Sequence, residues 1–535
     1  MTAPSPPVGD ASTGVASTAG RANTIGTLLR RSVSRNGQAT AILFEDRRWT
    51  YAELEAAVHR VAHRLLSLGL PAGSRVAAYG ANSDAYAMVY LACAEARLVH
   101  VPVNFALKGD ELEYVLEDSG ASLVLADPAL RPLVDQVRAR GRAAEIAQVW
   151  PLLPDAEGEV CSVLETALDG DADPSPVDVA TTGEDLVQLL YTSGTTSAPK
   201  GAMMTHEALV AEYVSSVIAL DFTAEDRPLV AMPLYHSAAM HVFLLPYLSL
   251  GASVRLMAKP DITEILQRVE AEHIGSLFLA PTVWVPLSNH PDMERRDLSS
   301  LAKAQYGASI MPVTVLQRLR TRYPRIGFYN CFGQSELGPL CTVLPPEAHE
   351  ARPASCGLPV YNVEARVVTA DGAIAGPGEP GEIQYRSPQL LSGYWNKPEA
   401  TAAAFVDGWF RSGDQVTRDA MGYIQVVDRI KDVINTGGIL VAPREVEDCI
   451  YELPEVAEVA VVGVADDRWI EAITAVVVLK EGASLTAEGV RAHVKERIAG
   501  YKVPKRVDFV AELPRNQSGK LLKRELRAER SGGQG

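Results

Sequence analysis

Several features that mark common protein classes are missing from the sequence. The six cysteines are scattered without a CxxC pair, which argues against a disulfide framework or a zinc site and predicts reduced thiols. No window approaches the roughly 18–20 apolar residues of a membrane span. The segment 1–22 is rich in small residues and lacks the apolar centre of a signal peptide. We therefore expect a disordered tail over residues 1–22 and a cytoplasmic protein.

Positive charge is also in short supply. Lysine and arginine total 50 against 66 aspartates and glutamates, which gives a formal net charge of −16. Nucleic acids require a positively charged surface, so this charge argues against nucleic-acid binding by the molecule as a whole. A local basic site for a small phosphorylated ligand stays compatible with it. The length of 535 residues exceeds the usual size of one domain, and two or more cores are expected.

Helix and strand patterns alternate along most of the chain. A capping box at Thr50 and Glu53 begins an amphipathic helix, which Gly69 closes. Short apolar runs predict buried strands separated by helix-length stretches, and this alternation indicates α/β layers with mostly parallel sheets. The clearest runs are Arg75–Tyr79, Ser122–Ala126, Val254–Met257 and Ser276–Leu279.

The pattern changes after about residue 360. Val360–Val368 and Glu382–Arg386 alternate like half-exposed strands, which predicts a smaller β-rich subdomain. The residues from Val459–Val464 onward predict a compact α+β unit. We therefore predict a large N-terminal domain over residues 23–428 and a small mobile C-terminal domain over residues 429–535.

The most informative segment is Tyr191–Gly201, which reads YTSGTTSAPKG and follows an apolar strand at Leu186–Leu190. Its small residues let backbone N–H groups turn inward, its hydroxyl side chains supply donors, and Lys200 adds a positive charge. Such a segment can cradle a polyphosphate. The spacing from Gly194 to Lys200 differs from GxxxxGK[ST], so the segment is not a P-loop of that type.

Further motifs follow along the chain, at Gly307–Ser309, Asn330–Glu336, Gly408–Asp414, Asp428–Asp432 and Pro514–Lys520. Together with the phosphate segment they resemble the signatures of the adenylate-forming (AMP-binding) superfamily, of the acyl- and aryl-CoA synthetase type. The resemblance extends from about Ile25 to Lys523. It implies ATP-dependent activation of a small carboxylic acid as its acyl-AMP, release of diphosphate, and transfer of the acyl group to coenzyme A.

The resemblance assigns roles to individual residues. It implies that Lys520 bridges the substrate carboxylate and the α-phosphate, that Lys200 contacts phosphate, and that Glu336 and Thr196 hold Mg²⁺. These types suit the chemistry, because two anions must meet and catalysis is mainly charge neutralisation and positioning. The implied nucleotide-binding residues are Thr192, Ser193, Gly194, Thr195, Gly307, Ala308, Ser309, Asn330, Phe332, Gly333, Gln334, Ser335, Asp414 and Arg429.

The second half-reaction needs another nucleophile at the same carbonyl. The resemblance implies that the C-terminal domain pivots at Lys431 and that Gly437 and Gly438 line the entry of coenzyme A. The chain departs from the family's usual sequence at Ile439–Val441. Residues 495–530 contain eleven basic and five acidic residues, which favours either a solvated face or attraction for the phosphates of coenzyme A.

The acid that is activated is not identified by any motif. The resemblance places His236 at the gate of the acyl pocket, with His241 and Tyr306 as further pocket candidates, although a packed histidine is the alternative for His241.

Two other functions stay open. One is an adenylating enzyme that passes its group to an amine or a carrier, or that activates nitrite for diazotisation. The other is a non-catalytic nucleotide-binding protein. A monomer or homodimer is expected.

Overall fold

The computed structural model describes residues 23–155, 160–192, 199–309, 311–429, 432–437, 439–466, 468–515 and 521–531. The predicted tail over residues 1–22 lies outside this range. No helix in the described ranges is both long and apolar enough to span a bilayer.

The strands differ in length and follow one another through the whole chain. In chain order they are β1 (Thr40–Phe44), β2 (Arg47–Thr50), β3 (Arg75–Tyr79), β4 (Val99–Val103), β5 (Ala121–Ala126), β6 (Gln148–Pro151), β7 (Leu186–Thr192), β8 (Lys200–Thr205), β9 (Pro228–Val230), β10 (Val254–Leu256), β11 (Ser276–Leu279), β12 (Lys303–Gly307), β13 (Gly327–Gly333), β14 (Leu340–Leu344), β15 (Leu358–Pro359), β16 (Glu364–Val368), β17 (Gly381–Arg386), β18 (Phe405–Val406), β19 (Trp409–Arg418), β20 (Ile424–Arg429), β21 (Ile434–Thr436), β22 (Ile439–Val441), β23 (Val456–Asp466), β24 (Ile470–Leu479) and β25 (Arg506–Phe509).

Helices separate most of these strands. In chain order they are α1 (Ile25–Asn36), α2 (Tyr51–Ser67), α3 (Asp84–Glu95), α4 (Asp110–Ser119), α5 (Arg131–Ala139), α6 (Val163–Leu168), α7 (His206–Ala219), α8 (Leu245–Leu250), α9 (Ile262–Glu272), α10 (Pro281–Ser288), α11 (Asp292–Arg295), α12 (Val313–Arg322), α13 (Pro398–Ala404), α14 (Pro443–Tyr451), α15 (Ala487–Arg497) and α16 (Lys523–Ser531). A π-helix at Ala238–Leu244 precedes α8.

Two large sheets form most of the N-terminal part. The order β15-β14-β13-β12-β11-β9-β10-β1-β2 makes a nine-stranded sheet, and β6-β5-β3-β4-β7-β8 makes a six-stranded sheet. Most neighbouring strands are parallel, as are β11 with β12 and β3 with β4, whereas β7 with β8 and β13 with β14 are antiparallel. Helix α3 is buried from Asp84 to Ala94 and packs against α2. A helix that is buried on every side belongs to the interior of a layered α/β domain.

Two smaller sheets follow. The order β16-β17-β19-β18, with β20 paired to β19, forms the β-rich part, and β22-β21-β24-β23, with β25 paired to β24, forms the last sheet. Helices α14 and α16 pack against β23, and α15 packs against β25, over a separate hydrophobic core. The predicted fold class, a layered α/β domain with a β-rich subdomain and a small α+β unit, is confirmed. The boundary at residues 428 and 429 stays a prediction.

Local sequence signals located many elements. The capping box of α2 is present, with the Thr50 side chain accepting from the Glu53 N–H and the Glu53 side chain accepting from the Thr50 N–H. The predicted strand at Ser276–Leu279 coincides with β11. The predicted strand at Val360–Val368 is shorter, because the Val363 N–H donates to the Val360 carbonyl and closes a turn before β16 begins.

Candidate active site

The ends of several strands meet at one place. Parallel strands β12 and β13 end side by side at Gly307 and Gly333, as the carboxyl ends of neighbouring parallel strands must. A short 3₁₀ turn at Ser335–Leu337 follows β13 and contacts β7 and β8 of the other sheet. Three of the predicted motifs are therefore adjacent in the fold although they are far apart in the sequence.

The phosphate segment is held at both of its flanks. Thr192 ends β7 and Lys200 begins β8, and these two residues are paired across the strands. The Tyr191 hydroxyl donates to Asp118 Oδ2 at 2.8 Å, and the Tyr114 hydroxyl donates to the Pro199 carbonyl at 2.9 Å. Burial and the Asp118 carboxylate raise the pKa of Tyr191, so its hydroxyl stays a donor. The intervening candidates Ser193, Gly194, Thr195 and Thr196 lie outside the described residues.

Glu336 lies on the 3₁₀ turn and is half-buried. Its Oε1 accepts a hydrogen bond from the Tyr394 hydroxyl at 3.0 Å, and its carbonyl accepts from the Leu391 N–H at 2.8 Å. The Lys200 ammonium lies 5.0 Å from the centre of the Tyr394 ring. The preceding residue, Ser335, has its Oγ 3.1 Å from Ser237 Oγ at the start of the π-helix. Tyr394 thus contacts two of the predicted site residues, Glu336 and Lys200, although the sequence motifs did not predict it.

The packing of neighbouring backbone explains why glycine stands at the ends of β12 and β13, at Gly307 and Gly333. A Cβ on Gly307 would lie 2.1 Å from the Cys331 carbonyl oxygen, and a Cβ on Gly333 would lie 1.8 Å from the Pro339 carbonyl oxygen. Neighbouring backbone therefore excludes a side chain at both positions. Ala308, with φ of 63°, and Ser309 are exposed directly after β12.

The polar side chains on either side of Phe332 differ in whether they have hydrogen-bond partners within the described residues. The Asn330 amide donates to the Ser355 carbonyl at 2.9 Å, and the Phe332 ring is half-buried against the main core. Gln334 Nε2 is buried and has no hydrogen-bond partner within the described part of the chain. A buried donor without a partner is costly, and a ligand acceptor would satisfy it.

Asp414 and Arg429 face each other across β19 and β20. Arg429 Nε lies 3.1 Å from Asp414 Oδ1, and the Asp414 side chain is buried while that of Arg429 is partly exposed. The pair thus presents a fixed carboxylate with a cation beside it. This combination suits ribose hydroxyls next to a phosphate.

A buried polar network lies behind the Glu336 turn. Glu212 on α7 is fully buried, its Oε2 accepts from Gln389 Nε2 at 2.5 Å, and its Oε1 accepts from Ser216 Oγ at 2.9 Å. Gln389 Nε2 also lies 3.2 Å from the Leu337 carbonyl and 3.1 Å from the Leu340 carbonyl. Burial raises the pKa of Glu212 well above its ordinary value, which favours the neutral form of the carboxyl. The network fixes the turn that carries Glu336.

The pocket candidates occupy different environments. His236 is half-buried in the loop before the π-helix. His241 is fully buried, with Nε2 at 2.6 Å from Gln188 Oε1 and Nδ1 at 2.9 Å from the Tyr213 hydroxyl. Burial lowers the pKa of His241 to about 3, so the ring is neutral. The structure thus places His241 within the core packing, with both nitrogens engaged.

Tyr306 is also buried. Its hydroxyl lies 3.0 Å from His349 Nε2, so this hydroxyl is already in a hydrogen bond. Burial raises the pKa of Tyr306 and lowers that of His349 to about 4, and both groups are neutral. A contact of Tyr306 with substrate stays a prediction, and it would involve the ring or require the hydroxyl to exchange partners.

The candidate coenzyme A entry lies in the small domain. Gly437, with φ of 65°, turns the chain between β21 and β22, and its N–H donates to the Trp469 carbonyl at 2.6 Å. The Trp469 ring is flanked by the Arg468 guanidinium and the Lys505 ammonium, which lie 4.9 Å and 4.6 Å from the ring centre. Gly438 and the hinge candidate Lys431 lie outside the described residues, as does Lys520.

The basic residues of the C-terminal region are largely paired within the protein. Seven of them form ion pairs with carboxylates of the small domain and the linker before it. These pairs are Arg497–Glu452, Lys502–Glu445, Arg506–Asp466, Arg515–Glu458, Lys523–Glu447, Arg527–Asp432 and Arg530–Asp508. The solvated, internally balanced face is therefore the better description of this region.

The donor set near Glu336 suits a cation that is held mainly by substrate. The described residues contain no group of three or more His, Cys, Asp or Glu side chains arranged to hold a metal ion. Mg²⁺ is typically bound by one or two carboxylates, by water and by the phosphates of the nucleotide rather than by a protein cage. A single carboxylate at the phosphate segment fits this pattern.

Comparison with known proteins gives matches along most of the chain. The family model described as AMP-binding enzyme matches residues 29–395, and the model of the AMP-binding enzyme C-terminal domain matches residues 445–520. The chain is 39% identical to a feruloyl-CoA synthase of an Amycolatopsis species, over 93% of this chain and 97% of that protein. It is 34% identical to an indoleacetate–CoA ligase of Aromatoleum aromaticum, over 91% and 94% of the two chains. The crystal structure of ATP-bound MatB from Rhodopseudomonas palustris superposes with a TM-score of 0.88 at 30% identity, covering 96% of this chain and 99% of that one.

Proposed function

We propose that this chain, which belongs to the AMP-binding enzyme family and is an AMP-forming acid–CoA ligase, activates an aryl-substituted carboxylic acid of the ferulate type. The observation that carries this substrate class is the 39% identity to a feruloyl-CoA synthase along 93% of the chain. The 34% identity to an indoleacetate–CoA ligase supports an aromatic acid as well. Fatty-acid ligases are also related, so the substrate panel below includes them.

In the first half-reaction, a carboxylate oxygen attacks the α-phosphorus of ATP, and the bond to the β-phosphate oxygen breaks to release diphosphate. Lys200, at the start of β8, binds the phosphates electrostatically and needs no proton transfer. Glu336 would hold Mg²⁺, with Thr196 as a second candidate ligand. When bound, the cation supplies charge neutralisation on the phosphate oxygens.

The nucleoside is proposed to lie along the ends of β12 and β13. Asp414 accepts hydrogen bonds from the ribose hydroxyls, and its ion pair with Arg429 orients that carboxylate. We propose that Gln334 Nε2, a buried donor without a partner in the described ranges, donates to the adenine or the phosphates. Phe332 supplies an apolar surface for the adenine ring.

The acyl group is proposed to lie on the side of the π-helix. His236 precedes this helix, and Ser237 contacts Ser335 beside the metal carboxylate, so the helix start and the reacting centre are neighbours. Tyr235 packs edge to face against Phe105 at 5.5 Å between ring centres. Aromatic edges and faces of this kind suit a planar aryl substrate.

In the second half-reaction, the thiol sulfur of coenzyme A attacks the acyl carbonyl, the thiol proton is lost to solvent or a base, and AMP leaves. Lys520 bridges carboxylate and α-phosphate in the first step, and rotation about Lys431 removes it before the second. We place the nucleotide end of coenzyme A near Trp469, because its ring and the flanking Arg468 and Lys505 match a base beside phosphates. Gly437 holds the Trp469 backbone next to the predicted thiol entry.

The experiment that tests the substrate class is a diphosphate-release panel. Purified enzyme is given ATP, Mg²⁺ and one acid from ferulate, indoleacetate, and short- and long-chain fatty acids, with and without coenzyme A. We expect the highest kcat/KM with ferulate-type acids and a thioester product that requires coenzyme A. Arms with an amine or nitrite in place of coenzyme A test the other acceptors. A fatty acid preferred over every aryl acid would refute the proposed substrate, and turnover independent of coenzyme A would refute the acceptor.

A further inference from the structure

One short loop contacts both elements that carry the charged groups of the phosphate site, Lys200 and Glu336. Residues 389–395, which we call the bracket, run between β17 and α13 and contact both the Glu336 turn and β8. On one side, the Leu391 N–H donates to the Glu336 carbonyl at 2.8 Å. On the other, the Met203 N–H donates to the Gly393 carbonyl at 2.9 Å and the Trp395 N–H donates to the Gly201 carbonyl at 2.8 Å. The bracket is therefore fixed at both ends to the strand and the turn that carry the site.

Tyr394 is the bracket residue whose side chain touches both charges. Its hydroxyl donates to Glu336 Oε1 at 3.0 Å, and its ring lies 5.0 Å from Lys200 Nζ. Its N–H donates to Thr401 Oγ1 at 2.9 Å, so the backbone of Tyr394 is anchored independently of its side chain.

Without the ring, the two charges would be free to approach each other. A lysine and a glutamate on adjacent elements gain electrostatic energy by forming an ion pair, and such a pair would occupy both groups. The ring instead provides Lys200 with a cation–π contact, and the hydroxyl occupies a single oxygen of Glu336. Hydrogen bonds to a metal-binding carboxylate also fix the direction of its second oxygen.

We infer that Tyr394 is a positioning residue that separates Lys200 from Glu336 and orients Glu336, so that phosphate and Mg²⁺ can bind between the two. This inference rests on the proposed function of both residues. It predicts that the mutual support of ATP and Mg²⁺ binding depends on Tyr394, acting through its hydrogen bond to Glu336.

The test measures ATP binding by isothermal titration calorimetry, in Mg²⁺ and in EDTA, without any acid substrate. In the wild type, we expect Mg²⁺ to increase the affinity for ATP. The ratio of the dissociation constant in EDTA to that in Mg²⁺ measures the coupling between ATP and Mg²⁺. We expect Tyr394→Phe, which keeps the ring, to lower this ratio by about tenfold while ATP binding in EDTA stays unchanged. Tyr394→Leu should also weaken ATP binding in EDTA, because Lys200 becomes free to pair with Glu336.

Two controls separate this role from a general effect on folding. Tyr423→Phe removes a hydroxyl elsewhere in the β-rich part and keeps the ring under Arg352, so it should leave the ratio unchanged. In a Glu336→Gln background, Tyr394→Phe should have no further effect on the ratio. An unchanged ratio in Tyr394→Phe, or an equal effect with and without Glu336, overturns the inference. An enzyme that shows the coupling but releases no diphosphate with aryl acids refutes the proposed substrate and still supports the role of Tyr394.

Discussion

Glu212 makes a contribution to the stability of the fold that decreases as pH rises. The carboxyl is fully buried, and burial raises its native pKa well above the ordinary value of 4.5. The unfolded chain releases this proton at a lower pH than the native state does. The stability contributed by the neutral carboxyl is therefore fully present below about pH 4.5 and is lost as pH rises toward the native pKa.

Replacement of Glu212 by glutamine removes this titration and keeps the shape of the side chain. The oxygen of the introduced amide would still accept from Gln389, and its nitrogen could donate to Ser216 Oγ, the present partner of Oε1. We expect Glu212→Gln to be close to wild type near pH 5. Above the unfolded pKa, the variant should gain on the wild type by about 1.4 kcal/mol per pH unit until the native pKa is reached.

Glu212→Ala removes both acceptors and leaves a cavity, and it should cost about 2–4 kcal/mol near pH 5, a difference that shrinks as pH rises because only the wild type loses this contribution. The assay is urea denaturation followed by circular dichroism from pH 5 to pH 8. The matched control is Glu207→Gln on the exposed face of the same helix, which should show no such dependence on pH. If the free energies of unfolding of the wild type and Glu212→Gln change in parallel with pH, the inference that Glu212 has a raised pKa in the native state is wrong.

Three further predictions concern the two half-reactions. Asp414→Asn should raise the KM for ATP about tenfold in diphosphate exchange, because the charge-assisted pair with Arg429 is lost, and an unchanged KM would exclude the ribose role. Trp469→Ala should raise the KM for coenzyme A about tenfold and leave acyl-AMP formation unchanged, whereas equal loss of both steps would contradict the assignment of the ring to coenzyme A. Lys520→Ala should abolish acyl-AMP formation and largely spare thioester formation from supplied acyl-AMP, and equal loss of both would contradict domain rotation.

The sequence predicted those features that depend on neighbouring residues. The capping box at Thr50 determines where α2 begins, and a short apolar run is enough to recognise β11. Asp414 and Arg429 were named only as separate nucleotide-binding residues, but their pairing is local, because a single hairpin joins β19 to β20 and places the two residues opposite each other. Such features need no knowledge of the rest of the fold.

Features that depend on distant parts of the chain were not predicted. Tyr394 and Glu336 are 58 positions apart and Gln389 and Glu212 are 177 apart, so no local pattern connects them. The sequence left His241 open between a pocket residue and a packed histidine. Its contacts with Gln188 and Tyr213 come from the packing of the π-helix against β7 and α7, which the sequence does not reveal. Charged and aromatic residues acquire their roles from such tertiary neighbours.

The internal ion pairs of the C-terminal region have a consequence for the kinetics of coenzyme A capture. Lysines and arginines that are neutralised within a few ångströms produce little field beyond the Debye length, which is about 8 Å at physiological ionic strength. The protein as a whole carries a net charge of −16, which repels an anionic cofactor at long range. Coenzyme A should therefore arrive by unassisted diffusion, with an association rate that changes little or even rises with added salt. Its retention would then depend on short-range contacts such as those proposed around Trp469.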